Sequence, residues 1–199
     1  MRVLGISGSP RKKGLTDLLL DESLDGARAA GARTDKIILN DLSLRPCQEC
    51  WQCIDARSCA QPDEMKTVYQ KIYDADALII ASPIYFGTIT AQLKIMIDRC
   101  NSIWAARRLN KRVKPSGPEK KGGFICVAGK DKKGYFKNAK SIIRILFATV
   151  GVNYSRELFV GGVDDISANS RKKKEAILKA YELGLSLTKT IPTPGVATP

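Results

Sequence analysis

The sequence predicts a doubly wound α/β fold: a five-stranded parallel sheet with helices on both faces. Three observations carry this. Apolar strand patterns alternate with helical ones along the chain, as successive β-α-β units require. The run Ala77-Leu-Ile-Ile-Ala81 is apolar without alternation, as a strand covered on both faces is. Right-handed crossovers then leave few arrangements for five such strands.

The elements follow in order. Arg2–Ile6 reads as a short buried strand. Leu15–Ala30 has helical periodicity, with Leu15, Leu18, Leu19 and Leu24 on or near one face, and Gly31 suits a left-handed residue after the helix end. Lys36–Leu39 is the second strand and Met65–Tyr73 a short amphipathic helix. Ala77–Ala81 is the third strand, followed by a helix over Thr90–Asn101. Gly123–Ala128 is the fourth strand, followed by a helix over Asn138–Val150. Glu157–Val160 is the fifth strand, and Ser170–Leu187 the last helix. No internal repeat is visible.

Two stretches break the rhythm. Residues 41–64 form a cysteine-rich insertion after the second strand. Residues 102–121, rich in Lys and Arg and holding Pro115 and Pro118, read as a basic loop. One domain is expected over residues 1–185, with a Pro-rich extended tail over 186–199.

Composition narrows the function. The 199 residues suit a single domain with a sizeable core. No apolar run reaches the ~20 residues of a membrane span, and the N-terminus shows no secretory pattern. The expectation is a cytoplasmic protein that does not contact membrane. There is no histidine, which excludes histidine-ligated metals and Ser-His or Cys-His nucleophiles. The net charge of +13 points to an anionic ligand or partner. Nucleic acid is the weaker candidate, because no recognition motif accompanies the charge.

Six cysteines in a reducing compartment do not suggest a disulfide framework. Cys100 and Cys126 stand alone and read as core packing. The other four form Cys47-Gln-Glu-Cys50-Trp-Gln-Cys53-Ile-Asp-Ala-Arg-Ser-Cys59, a C-x2-C-x2-C-x5-C run. Three thiolates at three-residue intervals can wrap one face of a cubic [4Fe–4S] cluster, and a fourth a few residues on can reach the remaining iron. A structural zinc site more often has two C-x-x-C knuckles a dozen or more residues apart. Zinc, redox disulfides and unliganded thiols remain the alternatives. One run implies one cluster per chain.

Two turns complete the picture. Ser7-Gly-Ser-Pro-Arg-Lys-Lys-Gly-Leu-Thr16 fits neither the P-loop nor the dinucleotide fingerprint. It is a hydroxyl-rich loop entering a helix N-terminus, and its N–H groups, the hydroxyls of Ser7, Ser9 and Thr16, and Arg11 can hold a phosphate. The blander reading is helix capping by Ser and Thr. Ser82-Pro-Ile-Tyr-Phe-Gly-Thr88 ends the third strand, where open α/β sheets bind ligands. Tyr85 and Phe86 there can line a planar ring, or pack on a neighbouring helix or a second subunit.

Together, Gly8–Gly14, Cys47–Cys59, Ser82–Gly87 and Ala91-Gln-Leu-Lys-Ile-Met-Ile-Asp-Arg99 resemble the iron–sulfur flavoproteins. These are a branch of the NADPH-dependent FMN reductase group with the flavodoxin-like fold. The resemblance covers about residues 1–165, and the cysteine run is its most specific part. It implies an oxidoreductase passing electrons between FMN, a [4Fe–4S] cluster on Cys47, Cys50, Cys53 and Cys59, and an external carrier. It implies FMN phosphate at Ser7, Ser9, Pro10, Arg11, Leu15 and Thr16. Pro83, Ile84, Tyr85, Phe86 and Gly87, with Gly129 and Lys130 after the fourth strand, would line the ribityl chain and ring. It also implies homodimers or homotetramers with cluster and flavin near subunit interfaces. The sequence departs from the family at Leu15, where Asn is usual, and at Ala128–Gly134, where glycines are usual. The alternative function is an NAD(P)H-dependent FMN or quinone reductase whose cysteines bind zinc or act as a redox switch.

Between Arg99 and Lys121 stand Arg99, Arg107, Arg108, Lys111, Arg112, Lys114, Lys120 and Lys121 against Glu119 alone. A solvated surface explains them, as does a docking site for an acidic carrier such as ferredoxin or for the 2′-phosphate of NADPH.

Overall fold

Val3, Leu4 and Ile6 point to opposite faces of the first strand and are all buried. A strand apolar on both sides belongs at the centre of a covered sheet. It is β1 (Arg2–Ser7) in the computed structural model, which describes residues 1–56, 58–109, 119–165 and 170–188. The other strands are β2 (Arg33–Ile38), β3 (Ala77–Pro83), β4 (Lys120–Val127) and β5 (Val152–Val160). All pairs are parallel, and the spatial order is β2-β1-β3-β4-β5. This is the flavodoxin-like order the sequence implied.

The helices are α1 (Leu15–Ala29), α2 (Gln52–Ala56), α3 (Met65–Asp74), α4 (Ala91–Arg99), α5 (Asn101–Leu109), α6 (Lys133–Val150) and α7 (Arg171–Thr188). They cover both faces. Strand β3 shows how: Leu78 and Ile80 join a cluster with Val68, Met96 and Phe147, while Ile79 joins Leu20, Leu24 and Leu183 on the other face. Cys100 and Cys126 are buried in the first of these. Burial pushes both thiols up to about 12, so they pack rather than react. Among the described residues no helix is long and apolar enough to cross a membrane.

Helices α1 and α7 meet backbone to backbone. Ser23 Oγ donates to the Ala180 carbonyl at 2.7 Å. A Cβ on Gly184 would stand 1.7 Å from the Ser23 carbonyl oxygen, and one on Gly26 2.0 Å from that of Tyr181. Alanine gains ~1 kcal/mol of helix propensity over glycine, but a clash with fixed backbone costs more than that. Gly184→Ala should therefore lose about 2 kcal/mol; an unchanged urea midpoint would contradict this close packing.

The structure differs from the sequence reading in four places. The basic stretch 102–121 is not a loop throughout: α5 runs from Asn101 to Leu109, separated from α4 only by Cys100, and β4 begins at Lys120. Residues 110–118 lie outside the described residues. The cysteine segment contains the short helix α2. The edge strands start earlier than expected, at Arg33 and Val152, because their polar, partly exposed first halves carry little apolar signal. Helix α7 runs to Thr188, inside the stretch expected as tail; 189–199 lie outside the described residues.

Candidate functional site

The strand order reverses between β1 and β3, and the crevice there opens at the carboxyl ends of the strands. The first candidate turn lies in it. Gly8 N–H donates to the Ala81 carbonyl at 2.8 Å, and Thr90 Oγ1 donates to the Gly8 carbonyl at 2.6 Å. A Cβ on Gly8 would come within 2.8 Å of Leu93 Cβ, so only glycine lets the loop sit this close. Helix α1 then starts after Gly14 with no side-chain cap, which leaves its first N–H groups available. Ser7 Oγ is buried with no hydrogen-bond partner among the described residues. The Ser9 hydroxyl is already engaged with the Arg11 backbone. Asp17, in the first turn of α1, faces Lys36 Nζ at 2.7 Å, so its charge is balanced. Thr16 is buried beside it.

The second turn follows β3. Tyr85 N–H donates to the Thr88 carbonyl at 2.8 Å and Thr88 N–H back to Tyr85 at 3.2 Å. Phe86 (φ 49°) and Gly87 (φ 81°) form its apex, the two positive φ values of a type I′ turn. Phe86 is fully solvent-exposed and Tyr85 half-exposed. Thr88 Oγ1 is a second buried hydroxyl without a partner among the described residues. Asn138 Nδ2, on α6, donates to the Gly87 carbonyl at 3.3 Å. After β4, Gly129 packs against Asp164, and Lys130 stands 3.9 Å from the same carboxylate. Ile84 N–H donates to Val127 O at 2.7 Å and so joins the ends of β3 and β4.

The cysteine segment forms the third part. Cys47, Cys50, Cys53 and Cys59 line one cavity together with Trp51, Gln61, Arg99, Asn101 and Ser102. None is disulfide-bonded. The Cys53 thiol is held above its ordinary value, first by burial and then, against a backbone hydrogen bond, by the sulfurs of Cys59, Cys47 and Cys50. The four sulfurs therefore feel one another. Among the described residues no three thiols or carboxylates are gathered into a ligand set for a single ion. Glu49 (φ 51°) and Trp51 (φ 59°) wind the segment through the left-handed region.

The non-glycine residues with positive φ among those described are Lys13, Glu49, Trp51 and Phe86. One lies in the first turn, one in the second, and two in the cysteine segment. Each costs on the order of 1 kcal/mol. Among the described residues, positive φ outside glycine is thus confined to these three segments.

What holds the cysteine segment is an ion pair that sequence reasoning missed. Arg99, the last residue of α4, is 1% exposed and reaches Asp63 twice: Nη1–Oδ2 2.6 Å and Nη2–Oδ1 2.9 Å. Nη1 also donates to the Arg45 carbonyl at 2.8 Å, while Arg45 N–H donates to Asp63 Oδ2 at 3.0 Å. Met65 N–H donates to Oδ1. One guanidinium and one carboxylate thus close the base of the segment, and Gln61 Nε2 ties it again to the Pro46 carbonyl. Tyr69 OH donates to the Arg99 carbonyl at 2.7 Å. The Arg99 hydrogen bonds, working against burial and helped by the Arg45 and Met65 N–H groups, bring the Asp63 carboxyl down to about 2. Its ordinary value is 3.8, so the contribution is full above about pH 4 and is lost as pH falls toward 2. It amounts to about 2 kcal/mol. Acid titration of the urea midpoint should show a loss of that order in this window, and Asp63→Asn should flatten it.

The same geometry reassigns part of the basic stretch. Arg99 is inside the protein. Arg107 donates to the Ala148 and Thr149 carbonyls at the end of α6, and Lys120 to the Ile72 and Tyr73 carbonyls at the end of α3. These cations satisfy helix C-termini.

This sheet order, with two turns meeting at its switch point, is that of a flavodoxin-like α/β domain. The model of the NADPH-dependent FMN reductase family matches residues 1–159. An iron–sulfur flavoprotein of Methanocaldococcus jannaschii is 37% identical over 134 residues, covering 67% of this chain and 65% of the relative. One from Methanosarcina thermophila is 34% identical over 142 residues, 71% of each chain. The matches thus span about two thirds of these relatives' length. An NAD(P)H:quinone oxidoreductase from Methanothermobacter marburgensis shares the fold, with TM-score 0.71, 20% identity, and 96% of this chain and 97% of that one covered. The chain belongs to the NADPH-dependent FMN reductase family, in its iron–sulfur flavoprotein branch.

Proposed function

We propose that the protein binds FMN in the β1/β3 crevice and one [4Fe–4S] cluster on Cys47, Cys50, Cys53 and Cys59, and passes electrons between them and an external carrier. The observation that carries this reading is the single cavity shared by all four cysteines, on a segment closed at its base by Arg99 and Asp63. The flavin half rests on the family and on fit. Among the described residues Ser7 Oγ and Thr88 Oγ1 are buried donors left unpartnered at the two turns, and the N–H groups opening α1 are uncapped. A phosphate and a polar ribityl chain satisfy groups of these kinds.

When bound, FMN supplies two-electron chemistry and the cluster one-electron exchange. The chain's own residues bind and orient. Gly8 admits the phosphate loop to the sheet, with Arg11 as its cation. Pro83–Gly87 offers an aromatic and backbone wall. No side chain is needed as acid or base. Helix α4 spans the two halves: Thr90, its cap, holds Gly8 at one end, and Arg99 holds the cysteine segment at the other. Nine residues at about 1.5 Å each separate those ends by about 14 Å along the axis.

The names of the curated relatives support the cluster. Phe86 and Trp51, exposed at their turns, suit a subunit interface in a homodimer or homotetramer. The +13 charge suits an acidic carrier such as ferredoxin, or NAD(P)H. With an acidic carrier, electron-transfer rates should fall severalfold as ionic strength rises from 0.01 to 0.15 M; rates insensitive to salt would remove that partner class.

The deciding experiment is anaerobic purification with iron, acid-labile sulfide and FMN counted per chain, and EPR spectra before and after reduction. About four irons and four sulfides per FMN are expected. Flavin with neither iron nor sulfide would instead make it an FMN or quinone reductase with zinc or redox thiols.

A further inference from the structure

Arg99 is a buried charge whose bonds do not use all its hydrogens. A guanidinium has five N–H donors. Nη1 spends both of its own on Asp63 Oδ2 and the Arg45 carbonyl, and Nη2 gives one to Asp63 Oδ1. Nε–H is buried with no partner among the described residues. An unmet buried donor on a charged group costs on the order of 1–3 kcal/mol, and a side chain 1% exposed cannot turn to water for relief. The guanidinium and Cys59 line the same cavity. Cys59 stands four residues before Asp63, the carboxylate that this guanidinium grips.

We propose that Arg99 is a positioning residue for Cys59: once the cluster is bound, the free Nε edge of the guanidinium takes the Cys59 sulfur as its acceptor, fixes that ligand and favours the reduced cluster. The inference rests on the cluster reading above. Hydrogen bonds and positive charge at a ligating sulfur stabilise the more negative state and raise the reduction potential. Asp63 holds the Nη1–Nη2 edge of the guanidinium, which leaves the Nε edge free for a second acceptor. Lysine at the same place carries the charge but not the fork.

The test uses anaerobically loaded holoprotein in three forms: the parent, Arg99→Lys, and the double variant Asp63→Asn/Arg99→Gln. The double change removes both charges and leaves neither buried alone. Iron and sulfide are counted, and the cluster potential is read by EPR-monitored redox titration. In the double variant the one-electron reduction equilibrium should shift about tenfold toward the oxidised form, about 59 mV lower, with a smaller shift in Arg99→Lys. A loaded cluster with the parent's potential in both variants overturns the proposal. So does loss of iron from both, which would leave Arg99 a brace for the segment and nothing more. A parent without iron and sulfide fails the cluster reading itself, and is told apart because it needs no variant.

Discussion

On the reading proposed above, Cys50→Ala protein should purify with FMN and without iron. Cys50 is the middle thiol of the first three, so its loss breaks the face on which they would grip a cube. Iron and sulfide per chain should fall at least tenfold against the parent. The β1/β3 crevice shares none of the residues lining the cysteine cavity, and α4 holds the two at opposite ends, so FMN per chain should not change. A variant holding as much iron as the parent would remove Cys50 from the ligand set. Loss of flavin together with iron would mean that the two halves do not stand independently.

Asp63→Asn should be among the most destabilising single changes in the chain. It leaves Arg99 charged, 1% exposed and without its counter-ion. Breaking a buried pair by removing one partner costs about 3–5 kcal/mol. For a domain of this size that is a fall in melting temperature on the order of 10 °C. An exposed pair such as Lys94–Asp98 offers the control: Asp98→Asn should cost less than about 1 kcal/mol. Equal melting temperatures for the two variants would mean that burial gives Asp63 no special weight.

How much of this was legible depends on where each residue's partners lie in the sequence. The central strands announced themselves because both faces of β1, β3 and β4 are buried and their residues read as unbroken apolar runs. The edge strands did so only in part: Arg33-Thr-Asp and Asn153–Arg156 are partly exposed and mostly polar, and carry the composition of loops. Helix α5 was hidden by its charge, since Arg107 and Arg108 make it resemble the basic segment that follows. The cysteine spacing was fully local, and so was its reading. The Asp63–Arg99 pair joins residues 36 apart, which no local pattern reveals. One signal did exist. Leu93, Met96 and Arg99 recur at three-residue spacing and are the buried residues of α4, so a charge on the apolar stripe of that helix called for an internal counter-ion.

The salt-bridged stem has a consequence for upkeep. In small zinc domains the metal makes the fold, and removing it unfolds the chain. Here residues 45 and 63 are joined by the protein's own side chains. Closing a loop of that length costs roughly 2–3 kcal/mol, and Arg99 and Asp63 offset it with no metal taking part. On the reading proposed above, a chain whose cluster has been destroyed by oxygen keeps its socket. Damage of that kind is repaired by delivering new iron and sulfide to a standing site, and the protein need not be refolded or replaced.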